Sequence, residues 1–219
     1  MKIAIDGPAG SGKSTIARRL SLELQIPYLE TGLAYRAMGY ILRSKGKTAE
    51  ESIGWEELKP LTKHLEIKPD VGRTIVLVDG KEVGHFLVDE QIGRLASIVG
   101  TVGKFREHIN LYFRQVIGNS QVVVEGRDAG TNIIPDADIK LFITASAQER
   151  ARRRYQQLIR AGKDVSYEQV LRDIEDRDRR DSHRKDYPFK PAEDAIIIDT
   201  TGKSVEEVLS EVLKIVKAR

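Results

Sequence analysis

Five short apolar runs recur along the chain: KIAID (2–6), PYLE (27–30), QVVVE (121–125), IKLFIT (139–144) and AIIID (195–199). Several are continuous rather than alternating, the pattern of strands covered on both faces, as in a parallel sheet. Helical patterns lie between them. Three of these open on a candidate capping box, Ser146 with Glu149, Ser166 with Gln169 and Ser204 with Glu207, in which two side chains satisfy the orphan amides of a helix start. Alternation of strands and helices predicts an α/β fold with right-handed crossovers.

One region breaks the alternation. Across 64–88 the text reads HLEIKPDVGRTIVLVDGKEVGHFLV. There TIVLV, then Asp79-Gly80, then KEV predicts a β-hairpin on a tight turn, so a small β-rich insertion is expected within the α/β core. No internal repeat and no low-complexity segment interrupts the rest.

Composition narrows the class without naming a function. The 219 residues are 40% apolar and 32% charged, enough for one sizeable core with room for a subdomain. Cysteine is absent, which excludes disulfides and thiolate metal sites. MKIAIDGPAG is interrupted too early by Asp6 to read as a signal peptide, and no run approaches the roughly 18 apolar residues of a membrane helix. A soluble, cytoplasmic protein is the expectation. Net charge is +3, yet residues 150–185 alone hold twelve Lys/Arg against seven Asp/Glu. The basic character therefore belongs to one segment, which suits a phosphate-rich small ligand as well as it suits a polynucleotide.

Residues 7–14, GPAGSGKS, match G-x-x-x-x-G-K-[ST] between a predicted strand and a predicted helix, IARRLSLEL. The context is the one a phosphate-binding loop demands. Gly7, Pro8, Ala9, Gly10, Ser11 and Gly12 would turn backbone amides inward around phosphates, and the helix beginning near Lys13, Ser14 and Thr15 presents its positive end. Lys13 would reach the β/γ-phosphates of ATP, and the Ser14 hydroxyl would ligate Mg²⁺.

The valine run of the third strand ends abruptly in Glu125, Gly126, Arg127 and Asp128. Strand ends reach the surface and surfaces are charged, but the same pattern serves a charged, hydrogen-bonding ligand docking at the strand's end. Tyr35 and Arg36 fall early in a predicted helix, and Arg106 in another, nine residues after Ser97. Further on, Arg150, Arg153 and Arg154 stand at helical-neighbour spacing over 146–162, while Arg177, Asp181 and Arg184 share one face of a helix over 166–185. Surface salt-bridge lacing explains each helix separately. Two arginine-dense helices joined by the short link AGKDV instead predict a mobile hairpin, which phosphoryl transfer uses to gather positive charge and exclude water.

Taken together, IDGPAGSGKST, ETGLAYR, EGRDAGT and ERARRR followed by DRDRRD stand in the order and spacing of bacterial cytidylate kinases, and the chain resembles that family over essentially its whole length. The resemblance implies a P-loop core with a five-stranded parallel sheet, an acceptor-binding subdomain and a helical lid. The core would cover about 1–30, 111–150 and 186–219, the acceptor subdomain about 31–110 and the lid about 151–185. It implies the reaction of ATP with CMP or dCMP to give the diphosphates, with Mg²⁺. By the same likeness Ser97, Arg106 and Asp128 would read the cytosine edge, Arg177 and Asp181 would hold the ribose, and Tyr35 would pack beside the acceptor. Arg36, Arg127 and Arg184 would clamp its phosphate, with Arg150, Arg153 and Arg154 on the donor side of the lid. The family usually carries aspartate where this chain has Glu30 and Glu125, so a water-mediated metal role for Glu125 must accommodate a longer side chain.

Chemistry points the same way: a carboxylate such as Asp128 accepts from cytosine's exocyclic amine, whereas uracil presents an oxygen there. Alternatives stay open at this point. A kinase of another small acceptor such as UMP shares the loop. A GTP-binding switch would need a guanine-reading N-K-x-D motif, which is absent. A nucleic-acid binder would carry fewer acids among its bases. No exposed apolar patch is evident in the text, so a monomer is expected.

Overall fold

A computed structural model describes residues 1–183, 186–187 and 189–218. In chain order the elements begin β1 (Lys2–Asp6), α1 (Lys13–Leu24), β2 (Pro27–Glu30), α2 (Gly32–Ser44) and the one-turn α3 (Trp55–Leu58). The insertion follows as β3 (Leu65–Val71), β4 (Arg73–Val78) and β5 (Lys81–Glu82), and then α4 (Glu90–Val99) and α5 (Gly103–Ile117). The second half supplies β6 (Val122–Gly126), β7 (Ile139–Thr144), α6 (Ala147–Arg160), α7 (Tyr167–Ser182), β8 (Ile196–Asp199) and α8 (Val205–Lys217).

All eight strands join one sheet in the order β5-β4-β3-β2-β6-β1-β7-β8. The five strands expected from the apolar runs are its parallel part, β2-β6-β1-β7-β8. The β-rich insertion expected within the α/β core adds three strands to that same sheet. β3 pairs antiparallel with β2 through Pro27↔Val71 and Tyr28↔Asp70. Two bonds from α1 reinforce this short register: Arg18 Nε donates to the Gly72 carbonyl at 3.0 Å, and the Gly72 amide donates to Ser21 Oγ at 3.0 Å. The Asp79-Gly80 turn between β4 and β5 has φ of 51° and 76° at its two residues, the doubly left-handed pair a two-residue hairpin requires.

Strand burial explains the apolar runs. Ile3 and Ile5 of β1 and Val123 of β6 pack with α1 and α8, while Ala4, Val122 and Val124 face a second core built with α2, α4 and α5. Central strands thus serve two cores and are apolar on both faces through their middle, with an acid only near the carboxyl end. β7 alternates instead, with Ile139, Leu141 and Ile143 buried. β8 is an edge strand, and Ile197 is 61% exposed there, as Val88 is at 84% in the segment before α4. These two exposed side chains are not discernible in the sequence.

Of the three candidate capping boxes, one is reciprocal: Ser204 and Glu207 exchange both bonds. Ser146 and Ser166 accept from Glu149 N and Gln169 N, but the Glu149 carboxylate turns to Arg152 and Arg153 and the Gln169 side chain to Asp173 and Arg172. In those helices the i, i+3 and i+4 partners outcompete the cap amide. No helix among the described residues is long and apolar enough to cross a membrane.

Candidate active site

The loop of residues 7–12 carries the chain from the end of β1 into α1. Gly7 lies so close to β7 that a Cβ there would stand 2.0 Å from the Ile143 carbonyl oxygen, and Gly10 and Gly12 have φ of 78° and 89°. Every second carbonyl of the loop is held from outside by a guanidinium. Arg127 donates to Gly7 O at 2.8 Å, Arg150 to Ala9 O at 3.2 Å and Arg153 to Ser11 O at 3.3 Å. With those carbonyls turned outward, the amides between them and the start of α1 form a concavity suited to an anion.

Beneath the loop, Lys13 and Ser14 meet the acid at the end of β6. Lys13 Nζ is 3.1 Å from Glu125 Oε1, and Ser14 Oγ donates to Glu125 Oε2 at 3.1 Å. Burial holds the Lys13 ammonium below its ordinary range, although Glu125 works against that shift. The register Glu30↔Glu125 sets a second carboxylate alongside, and the buried Tyr28 hydroxyl lies 3.1 Å from Glu125 and 3.3 Å from Glu30. Burial first, then the Glu125 charge, push Glu30 up to about 7. Like charges directly opposite in a sheet are destabilising, so these glutamates mark a position that wants a cation.

At the same sheet edge, Asp128 Oδ1 accepts from Arg106 Nη2 at 2.7 Å, and each side chain is only 5% exposed. Arg106 also donates to the Gly100 carbonyl at 3.3 Å and lies over the Tyr35 ring at 5.3 Å and the Tyr187 ring at 5.7 Å. Tyr35 meets Phe105 edge-on, which fixes it against the core. Ser97, half-buried in α4, stands one turn before Gly100. Arg106 Nε and both polar atoms of the Asn110 amide are buried without a partner among the described residues. Arg127 Nε pairs with Asp181 Oδ2 at 3.1 Å, and its guanidinium lies over the Phe189 ring at 5.6 Å. Arg36 donates to the Leu87 carbonyl at 2.6 Å, and burial lowers its pKa against the pull of Glu30.

The arginine-dense helices do form a hairpin, packed around Ala151, Val170 and Ile174. Arg150, 5% exposed, donates to Ala145 O and Ala9 O and pairs with Asp178 at 2.6 Å, so it ties the loop to both helices. Arg153 bonds Glu149, Ser11 O and the Thr200 carbonyl. Arg154 is exposed and makes no ion pair among the described residues, though its charge is felt by Arg36. The Arg177 charge is felt by Lys13. Arg184 lies outside the described residues.

Sequence reasoning missed four participants. Tyr28, Asp178 and Thr200 bond Glu125, Arg150 and Ser11 of the site, and Asp6 bonds the amides of Ala129 and Gly130 next to Asp128. Asp6 shares a signal with Glu125, an acid closing an otherwise apolar strand. Thr200 and Asp178 have none, because their partners lie in distant segments.

A phosphate loop on the carboxyl edge of a parallel sheet, with a lysine, a hydroxyl and a ring of arginines over it, defines a P-loop protein of the small-molecule kinase class. The family model described as "Cytidylate kinase" matches residues 3–218. A protein named cytidylate kinase from Aquifex aeolicus (strain VF5) is 53% identical over 100% of this chain and 97% of its own length. A second so named, from Thermotoga neapolitana, is 43% identical over the same shares. Among solved structures, an uncharacterized protein from Eubacterium ventriosum has the same fold, with a TM-score of 0.54 at 15% identity over 100% of this chain and 99% of that one. The chain belongs to the cytidylate kinase family.

Proposed function

We propose that the chain transfers the γ-phosphoryl group of ATP to CMP and dCMP, giving ADP and the cytidine diphosphates. The observation carrying this reading is the buried Arg106–Asp128 pair at the sheet edge that also holds the phosphate loop. A buried carboxylate there accepts from the cytosine amine and leaves a uracil carbonyl facing an acid, so recognition and rejection come from one group. Ser97 and the free Arg106 Nε complete the base edge, with Tyr35 beside it. Arg177 and Asp181 hold the sugar.

Arg36, Arg127 and Arg184 receive the acceptor phosphate, forking onto its oxygens as lysine cannot. The loop amides and Lys13 bind the donor phosphates, and Arg150 and Arg154 contribute from the lid side. Arg127 bonds Gly7 O and Asp181 together, so it stands between donor loop and acceptor sugar, where charge spreads in the transition state. The side chains bring reactants into line and supply positive charge, and no general base is needed. Residues about 31–110 act as the acceptor subdomain and about 151–185 as the lid that excludes water.

Mg²⁺ fits the residues present: Ser14 Oγ meets Glu125 at 3.1 Å, and the buried Glu125 with the half-buried Glu30 beside it leaves negative charge that Lys13 alone does not balance. Ser14 and Glu125, the latter through water, would hold it. When bound, Mg²⁺ neutralises charge on the β- and γ-phosphates.

The test is ADP release from ATP and Mg²⁺ with CMP, dCMP, UMP, AMP and dTMP offered singly. Turnover confined to CMP and dCMP supports the assignment. UMP turning over as fast as CMP removes the cytosine reading but leaves the kinase.

A further inference from the structure

The residue just before the phosphate loop reaches away from it. Asp6 closes β1, is 4% exposed, and its two carboxylate oxygens accept from successive amides of the segment after Asp128: Ala129 N to Oδ1 and Gly130 N to Oδ2, each at 2.8 Å. In the opposite direction, Arg127 donates to the carbonyl of Gly7, the next residue after Asp6, also at 2.8 Å. The two bonds cross between the same two segments. Neither Asp6 nor its partners belong to the nucleotide-loop motif, and no role in phosphate binding calls for a buried acid there.

We propose that Asp6 is a positioning residue for the acceptor: its bidentate grip on Ala129 and Gly130 sets the orientation of the Arg127–Asp128 turn relative to the phosphate loop. The inference rests on the reading that this turn faces the acceptor.

The physical argument is one of reach and direction. Asp128 has φ −145° and ψ 27°, and its carbonyl already accepts from Asn132 N and Ile133 N. Below the turn, the peptide amides at 129 and 130 point back into the sheet, where an ionised carboxylate satisfies both with charge-assisted bonds. Without that anchor the Asp128 side chain would be held by Arg106, which comes from a different helix, and by a long 3.4 Å bond from Asn132 Nδ2 in the same turn segment. Donor loop and acceptor turn would then lose their fixed spacing, and misplacement by a fraction of an ångström is costly in phosphoryl transfer.

Asp6→Asn separates positioning from mere packing. The carboxamide keeps one acceptor but turns an NH₂ toward one of the amides, so donor faces donor. Two readouts are taken against wild type: calorimetric affinities for CMP and for ATP, and amide exchange of residues 126–134. The expected result is CMP binding weakened at least about tenfold, ATP binding within about twofold, and faster exchange at 129–134. Unchanged exchange overturns the positioning role whatever the acceptor is. Faster exchange with unchanged CMP affinity overturns its link to the acceptor, and equal losses for CMP and ATP reduce Asp6 to a general structural residue. Should Asp6→Asn fail to fold, Asp6→Glu, which keeps the charge but overreaches by a methylene, carries the same two readouts. If wild type prefers another acceptor, the cytosine reading falls alone, and the affinity ratio is taken with that acceptor.

Discussion

Arg106 Nη2 and Asp128 Oδ1 are 2.7 Å apart in a pair that is 5% exposed on each side. A buried pair of this kind adds little net stability over a well-packed apolar pair, but removing one partner strands the other charge in the interior. Asp128→Ala is therefore expected to cost about 3–5 kcal/mol of stability and to relax the CMP/UMP preference sharply. Arg106→Ala and the double variant complete a cycle in which the double variant loses less than the sum of the singles. Chemical denaturation and steady-state kinetics on both acceptors measure the two effects; unchanged discrimination would sink the base-reading role.

Glu30 carries a pH prediction. Its folded pKa is raised from 4.5 to about 7, by burial first and then by Glu125. The folded state thus holds a proton that the unfolded chain has released across that window, so Glu30 favours the folded state most below about pH 4.5 and loses that contribution as pH rises toward 7. Asp6, raised to about 6 chiefly by burial, tilts stability the same way. Glu30→Gln should flatten the slope and stabilise the ligand-free protein at pH 8 by on the order of 2 kcal/mol, with little effect at pH 4.5 or below. Thermal unfolding over pH 4–8 reads this directly.

Gly7→Ala would place a Cβ 2.0 Å from the Ile143 carbonyl oxygen, a backbone atom that cannot step aside. The loop must move away from β7, which is expected to cost about 1–3 kcal/mol and to break the Arg127 bond to Gly7 O. ATP affinity should fall more than CMP affinity, the reverse of the pattern expected for Asp6→Asn. Calorimetry with each ligand distinguishes the two.

The hairpin of α6 and α7 has a small apolar centre of its own, Ala151, Val170 and Ile174, and its links to the loop are polar, through Arg150, Arg153 and the Arg127–Asp181 pair. Elements with few buried apolar contacts open at low free energy. Amide exchange over residues 155–185 should be fast without ligands and slow when ATP and CMP analogues bind together. Equal protection in both states would remove the lid.

What the sequence by itself determined is what local physics can settle. Gly-x-x-x-x-Gly-Lys-Ser between a strand and a helix named the phosphate loop, since glycine alone tolerates the turn. Continuous apolar runs named the central strands, because strands that serve two cores are apolar on both faces through their middle. The Asp79-Gly80 pair named its hairpin, and Ser204 with Glu207 named its cap. Family resemblance placed Asp128 and Arg106 in one site; their 2.7 Å pairing appears only once α5 and β6 are packed together.

Tertiary structure decided the rest, and in each case the deciding partner lies far along the chain. The insertion joined the sheet through a two-pair register with β2, a matter of which strand edge remained open. Asp6 reached across to Ala129 and Gly130, and three arginines, one just past β6 and two on α6, settled on alternate carbonyls of one loop. Contacts spanning more than a hundred residues leave no periodicity in the text, because nothing in the spacing of either segment records where the other will stand until the core between them has packed.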